Sequence, residues 1–287
     1  MAELQEIIGS KYKKIYLKKI QVRIRNRIKP LEVRQPTVAL LETEDRRKFK
    51  ILQAKSSKNI HLQQIKENMP LFAQLEFVSK ILWADARTIL IEFIEGEFPD
   101  IESKEFAEAY AENLAQVHDL AVKAIPFEIF QNDIQKDLEL FVTNNFMDQQ
   151  GADRVIARLR SLAPSQVRTS LVYADQNRTN FVISPENKLF FIDLGSFQSE
   201  RATDEFVLGG VLFERVDQNI FRDTYLAAGG SKFIFDNSEF LRAANLIRNG
   251  AGHLRRYLEV PFFDWRLKRA RLGNINRSVK LLTATIS

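Results

Sequence analysis

The chain has 287 residues, with 42 Lys and Arg against 37 Asp and Glu, a formal charge of +5 and no cysteine. A hydrophobic share of 45% suits a packed core and excludes a wholly disordered chain, a collagen-like fibre, a disulfide scaffold and thiolate chemistry. The length allows one large domain or two smaller ones, and the lack of disulfides fits a reducing, cytoplasmic setting. Met1 to Glu6 lacks the basic and apolar regions of a signal peptide, and no stretch approaches the ~18 apolar residues that span a bilayer. The expectation is a soluble protein.

Charge is unevenly spread. Residues 11–29 carry nine Lys and Arg and no acid, and around Val22 and Ile24 the basic and apolar residues alternate as in a strand with one wet face. A second basic cluster runs from Arg255 to Arg277 around Trp265. Two solvated faces account for such clusters, and the alternative is a patch for an anionic partner such as phosphate, a lipid surface or nucleic acid. Nucleic acid ranks lowest, because only Tyr12 and Tyr16 interleave with the first run.

After Pro36, Thr37 to Glu44, a charged turn at Asp45 to Lys48, and Phe49 to Lys55 predict a hairpin. Leu62, Ile65, Met69 and Phe72 give a helical row over 60–75, which Pro70 ends or kinks. Strands are expected over Phe77 to Leu82 and Thr88 to Ile94, and Glu95 to Pro99 is a break that suits a domain boundary. The remainder is mainly helical, with helices expected over 103–122, 134–147, 152–162, 206–228 and 239–257. Within it, Ser170 to Phe197 reads as two short strands, each preceded by a polar loop.

That interruption carries the chemistry. Asp175 stands five residues before Asn180, which opens the apolar run Phe181 to Ile183; a second apolar run ends in Ile192-Asp193-Leu194-Gly195. Carboxylates at strand ends beside loops can project into a cleft without being buried unpaired. Asn180 and Asp193 offer hard oxygen donors of the kind Mg²⁺ takes, and Asp175 could accept a hydroxyl proton.

These residues resemble the catalytic core of the protein-kinase-like superfamily, most closely its aminoglycoside-phosphotransferase and choline-kinase branch. That branch reads His-x-Asp-x-x-x-x-Asn followed by Ile-Asp-x-Gly. Leu90 to Gly96 resembles the strand and hinge between lobes, Leu114 to Leu120 the helix ending in Leu-x-x-x-His, and Phe221 to Tyr225 with Gly229 and Gly230 a later element of the small-molecule kinases.

The resemblance implies an α+β, two-lobed protein-kinase-like fold. A small antiparallel-sheet N-lobe would occupy residues 1–95 and a mainly helical C-lobe 96–287. It implies ATP- and Mg²⁺-dependent transfer of the γ-phosphoryl group to a hydroxyl of a small molecule or glycan. Asp175 would be the catalytic base, Arg178 a cation for the transferring group, and Asn180 and Asp193 the Mg²⁺ ligands. Glu92, Phe93 and Ile94 would line the adenine pocket. Lys55 is the first choice for the nucleotide-holding lysine, with Lys50 and Gln53 as rivals in register and Glu67 as its helix partner. His118 reads as a structural histidine, and three histidines without cysteine argue against a zinc site.

The chain departs from the pattern in several places, and Ala174 stands where Gly or Arg usually precedes the base. Tyr173 replaces the usual His, and residues 34–48 contain no glycine for a phosphate loop. These departures motivate an alternative, a pseudokinase or nucleotide-binding interaction module. The acceptors considered are an aminoglycoside-like or amino-alcohol compound and a sugar within bacterial lipopolysaccharide. A net basic chain favours an anionic or membrane-proximal acceptor.

Overall fold

The computed structural model describes residues 8, 12–16, 31–202, 212, 214–260 and 265–286. The alternating segment around Val22 and Ile24, and the start of the helix expected over 206–228, lie outside them. The described residues divide into two compact units, one of residues 1–113 and 173–198, the other of residues 114–172 and 199–287.

The first unit is built on a five-stranded antiparallel sheet in the order β1-β2-β3-β5-β4. Its strands are β1 (Tyr12–Tyr16), β2 (Thr37–Thr43), β3 (Lys48–Gln53), β4 (Ile81–Ala84) and β5 (Thr88–Glu92). The central strand β3 alternates, with Phe49 and Ile51 buried in a core shared with Ala39, Leu41 and Leu90. By the two-residue period of a strand, Lys50 faces the opposite side.

Between β3 and β4 the expected single helix is two, α1 (Ile60–Glu67) and α2 (Met69–Phe72). Asn59 caps α1 by accepting from the Leu62 amide at 3.2 Å, and Pro70 falls in the first turn of α2, where its missing N–H costs nothing. The strand expected over 77–82 begins later, at Ile81. Phe77 and Val78 instead contact a second, two-stranded sheet: the Phe77 carbonyl accepts from the Phe191 amide at 2.9 Å, and Val78 bridges to Phe191.

Helix α3 (Lys104–His118) and β6 (Lys123–Pro126) follow, then α4 (Phe127–Thr143), α5 (Gln149–Leu162) and β7 (Gln166–Tyr173). The two-stranded sheet is β8 (Phe181–Ile183) against β9 (Leu189–Phe191). After β10 (Phe197–Ala202) come α6 (Gln218–Ala227), α7 (Phe233–Asp236), α8 (Ser238–Leu258) and α9 (Trp265–Ile286). The long α9 was visible in the sequence only as a basic cluster.

The unit boundary differs from the expected break at residue 95. The β8–β9 hairpin belongs with the sheet-bearing unit because its backbone is tied there repeatedly. Glu97 and Ile183 exchange both hydrogen bonds, at 3.0 and 2.8 Å, and the Asn113 amide donates to the Leu189 carbonyl at 3.1 Å. Gly96 makes the first of these ties possible, since a Cβ there would lie 2.0 Å from the Ile183 carbonyl oxygen.

In the second unit, α4 buries Phe127, Phe130, Ile134, Leu138 and Phe141, the three-and-four spacing of one helix face. A Cβ on Gly250 of α8 would meet Phe141 at 2.7 Å and Ser278 at 2.9 Å, so three helices converge on that glycine. His118 is buried, with Nδ1 3.0 Å from the Tyr225 hydroxyl. Burial, with the Arg168 charge, pushes its pKa down to about 3, so the ring is neutral and structural.

Two outcomes are expected. Gly96→Ala should cost roughly 1–3 kcal/mol in urea unfolding, because the alanine methyl displaces the Ile183 strand; an unchanged midpoint would show the tie to be dispensable. His118 should also make the protein acid-sensitive: below the ordinary value of 6.5 the unfolded chain binds a proton that the folded ring refuses until about 3. Stability tied to His118 is therefore present above 6.5 and falls by about 1.4 kcal/mol per pH unit as pH drops toward 3. His118→Gln should remove that slope in denaturation curves taken across the window.

Candidate active site

Asp175 and Asn180 bound a short loop between β7 and β8. One 3-10 turn, Arg178–Asn180, closes it, and Asn177 caps that turn by accepting from the Thr179 amide at 3.2 Å. The side-chain amide of Asn180 donates to the Asp175 carbonyl at 2.9 Å. That bond commits the nitrogen and leaves Oδ1 as the outward donor atom. The Asp175 carboxylate is exposed and unbonded among the described residues, and Arg178 is exposed on the same loop. Gln176 is buried with both amide atoms unbonded, a polar cost of the kind retained at functional loops.

Asp193 lies just beyond β9 and caps the turn Leu194–Ser196, accepting from the Gly195 amide at 3.2 Å and the Ser196 hydroxyl at 2.8 Å. The Ser196 carbonyl in turn accepts from the Ala174 amide at 2.8 Å, which links the Asp193 turn to the segment leading into Asp175. Asn180 and Asp193 are thus held at adjacent ends of one hairpin, with Phe181 opposite Phe191.

Tyr173 stands where the resembled motif has His, and it ties the loop to the hairpin. Its hydroxyl donates to the Asn180 carbonyl at 3.2 Å, an oxygen that also accepts the Ile192 amide at 3.0 Å. Burial, assisted by the nearby Asp193 charge, raises the Tyr173 pKa well above the ordinary value, so the donor proton stays in place. The ring is wedged among Phe191 and Phe197, each with its centroid 4.8 Å away, and Phe181 at 5.5 Å. Sequence reading flagged Tyr173 as a gap; the structure makes it the junction.

The structure places the two candidate lysines differently. Lys55 is exposed and lies beyond β3, which ends at Gln53, so it cannot share the strand's facing pattern. Lys50, weighed as a rival, sits mid-strand, and its Nζ donates to the Ile192 carbonyl at 3.0 Å, one residue from Asp193. Burial lowers the Lys50 pKa, and the Asp193 carboxylate partly restores it. The signal in the sequence was parity: Lys50 opposes the buried Phe49 and Ile51 on a central strand.

Glu67 is not brought to either lysine. It is exposed at the end of α1, whereas Gln64 and Asn68, a turn apart, face inward and donate to the Phe197 carbonyl at 2.7 and 3.4 Å. Neither amide stood out in the sequence. Glu92 ends β5 opposite Phe49, and its amide donates to the Lys80 carbonyl, whereas Phe93 and Ile94 follow the strand with no described backbone bond. Among the described residues no three His, Cys, Asp or Glu side chains gather as a protein-only metal cage would need.

Tyr173→Phe should keep the aromatic packing and cost about 1 kcal/mol for the lost hydroxyl bonds, whereas Tyr173→Ala should cost roughly 3–5 kcal/mol. Urea unfolding separates the two, and equal losses would place the role of Tyr173 in its ring alone.

The sequence pattern of the phosphotransferase enzyme family, APH, matches residues 29–243. No curated protein matches the chain. Among solved structures it is similar to macrolide 2′-phosphotransferase MphH from Brachybacterium faecium, at 12% identity and a TM-score of 0.67 over 96% of this chain and 97% of that one. It is also similar to choline kinase LicA from Streptococcus pneumoniae, at 17% identity and a TM-score of 0.59 over 99% and 98%. A third likeness is to the streptomycin–ATP ternary complex of APH(2″)-IIa, at 11% identity and a TM-score of 0.59 over 96% and 94%. These likenesses establish the α+β kinase-like fold, and the match over most of its length makes this chain a member of the phosphotransferase enzyme family.

Proposed function

We propose that the protein is a small-molecule kinase that transfers the γ-phosphoryl group of ATP to a hydroxyl group. The observation that carries this reading is the hairpin that holds Asn180 and Asp193 together, with Asp175 one loop away and Lys50 bonded beside Asp193.

A divalent cation fits the donor set. Asn180 Oδ1 is left free by the bond of its nitrogen to Asp175, and the Asp193 oxygens retain lone pairs beyond their capping bonds. Two protein ligands suit Mg²⁺, which usually takes one or two carboxylate-type ligands and completes its shell with water and nucleotide phosphate. When bound there it would neutralise phosphate charge.

The chain's own groups divide the remaining work. Lys50 would meet the nucleotide phosphates with a positive charge, in a site where burial strengthens the interaction. The backbone of Phe93 and Ile94 would take the adenine edge, where no described bond occupies it. Asp175 would hold the acceptor hydroxyl and receive its proton as the oxygen bonds to the γ-phosphorus and the bond to ADP breaks. Arg178, exposed on the same loop, would stabilise charge on the transferring group.

The acceptor in this reading is anionic or membrane-proximal, such as a phosphorylated glycan, because a net +5 chain attracts such compounds and repels cationic aminoglycosides. A cytoplasmic setting follows from the need for ATP. Among the described residues no helix is long and apolar enough to cross a membrane.

Nucleotide-dependent thermal stabilisation and ATP turnover test the reading. Mg-ATP should raise the melting temperature of the wild type. Asp175→Asn should lower turnover by about 10²–10⁴-fold with nucleotide binding kept, and Asp193→Ala should remove the Mg²⁺ dependence of that binding. Lys50→Ala should cost about 10²-fold or more in kcat/KM while Lys55→Ala stays within about twofold. A wild type that neither turns over ATP nor is stabilised by it would overturn the enzyme reading.

A further inference from the structure

The segment that carries Asp193, residues 192–197, is gripped at both ends. At its start the Ile192 carbonyl accepts from Lys50 Nζ at 3.0 Å. At its end the Phe197 carbonyl accepts from Gln64 Nε2 at 2.7 Å and, more weakly, from Asn68 Nδ2 at 3.4 Å. Strand β3 and helix α1 therefore hold the backbone on opposite sides of Asp193, each by donating to a carbonyl. A carbonyl needs a donor, and at neutral pH an amide supplies one where a carboxylate has none.

Between those two ends the bonds lead to the carboxylate itself. Ser196 is 4% exposed; its hydroxyl donates to Asp193 Oδ2 at 2.8 Å, and its amide donates to the Asp193 carbonyl at 3.0 Å. The Ser196 carbonyl accepts the Ala174 amide at 2.8 Å, one residue before Asp175. Ser196 thus orients the candidate metal ligand and holds the backbone that leads into the candidate base. Phe197 follows directly, so the bond from Gln64 lies one peptide unit away from the residue that orients Asp193. The Phe197 ring is fixed as well, with its centroid 5.0 Å from that of Phe72 and 4.8 Å from that of Tyr173.

Resting on the kinase reading of the same site, we propose that Ser196 and Gln64 are positioning residues for metal-dependent nucleotide binding. The Ser196 hydroxyl sets the rotamer of Asp193, so that the remaining lone pairs of the carboxylate are presented to a cation. Gln64 keeps that hydroxyl in place by anchoring the Phe197 carbonyl, and so couples helix α1 to the metal ligand without an acidic side chain. Removing a hydrogen-bond partner from a ligating carboxylate typically costs about 10–100-fold in metal affinity.

The test is calorimetric titration of the full chain with the non-hydrolysable ATP analogue AMP-PNP, once in EDTA and once in excess Mg²⁺. The ratio of the two dissociation constants reads the contribution of the metal without turnover. The wild type should bind more tightly in Mg²⁺. Ser196→Ala should lose most of that gain, and Gln64→Met should weaken binding in Mg²⁺ about threefold or more, with both within about twofold of the wild type in EDTA. The double variant should be no weaker than Ser196→Ala alone, because Gln64 acts through Ser196. Ile65→Val, on the buried face of the same helix, should lower the melting temperature and leave the Mg²⁺ gain intact, which separates positioning from stability. A gain kept in full by either single variant, or losses that multiply in the double variant, overturns the proposal. A wild type that binds the analogue with no gain from Mg²⁺ also overturns it, whereas one that binds no nucleotide at all fails the kinase reading itself.

Discussion

The carbonyl oxygen of Asn180 receives two donors, the Ile192 amide at 3.0 Å and the Tyr173 hydroxyl at 3.2 Å. Nearly everything at the site depends on this convergence. The first bond sets the register at the open end of the β8–β9 hairpin, which decides that Asn180 and Asp193 are neighbours. The second pins that end to β7 and hence to the segment leading into Asp175. A hydroxyl serves because it carries a donor proton, which burial of the ring keeps in place on that carbonyl. Replacing the family's His with Tyr is therefore chemically coherent, and the aromatic cluster around the ring provides the room for it.

The same hairpin explains why the chain divides where it does. A boundary at residue 95 would leave the β8–β9 hairpin apart from the sheet that precedes it. Instead the hairpin is bonded to Phe77, Glu97, Asn113 and Lys50, so it belongs with the five-stranded sheet. All four residues that define the candidate chemistry, Lys50, Asp175, Asn180 and Asp193, then lie within one compact unit. Their mutual placement rests on short backbone ties, which hold a catalytic geometry more rigidly than long side chains do.

What was legible in the sequence had a local cause. Alternation on β3 and the i, i+3 pair Leu62 and Ile65 of α1 follow from strand and helix periods, so those elements could be read directly. Asp175, Asn180 and Asp193 stood out by their order and spacing, which match the resembled kinase motif, since Asp and Asn taken singly are common turn residues. The structure does not bring Lys55 and Glu67 together, for a related reason. Their spacing is compatible with a strand-to-helix ion pair, but β3 ends two residues before Lys55, and α1 turns Gln64 and Asn68 inward instead of Glu67. A rotation of about 100° per residue, invisible in a charge pattern, separates the two outcomes.

The +5 charge shows the same division. The sequence by itself determined that basic residues cluster near both ends, that the chain has a core to fold around, and which three polar residues could carry phosphoryl transfer. These are properties of composition and short spacing. Only the tertiary structure decided that Lys50 stands beside Asp193 and that Tyr173 joins Asn180 to β7. Each of those depends on which face a residue presents and on what distant segment arrives there. That is settled by packing between elements far apart in the chain, and no local pattern encodes it.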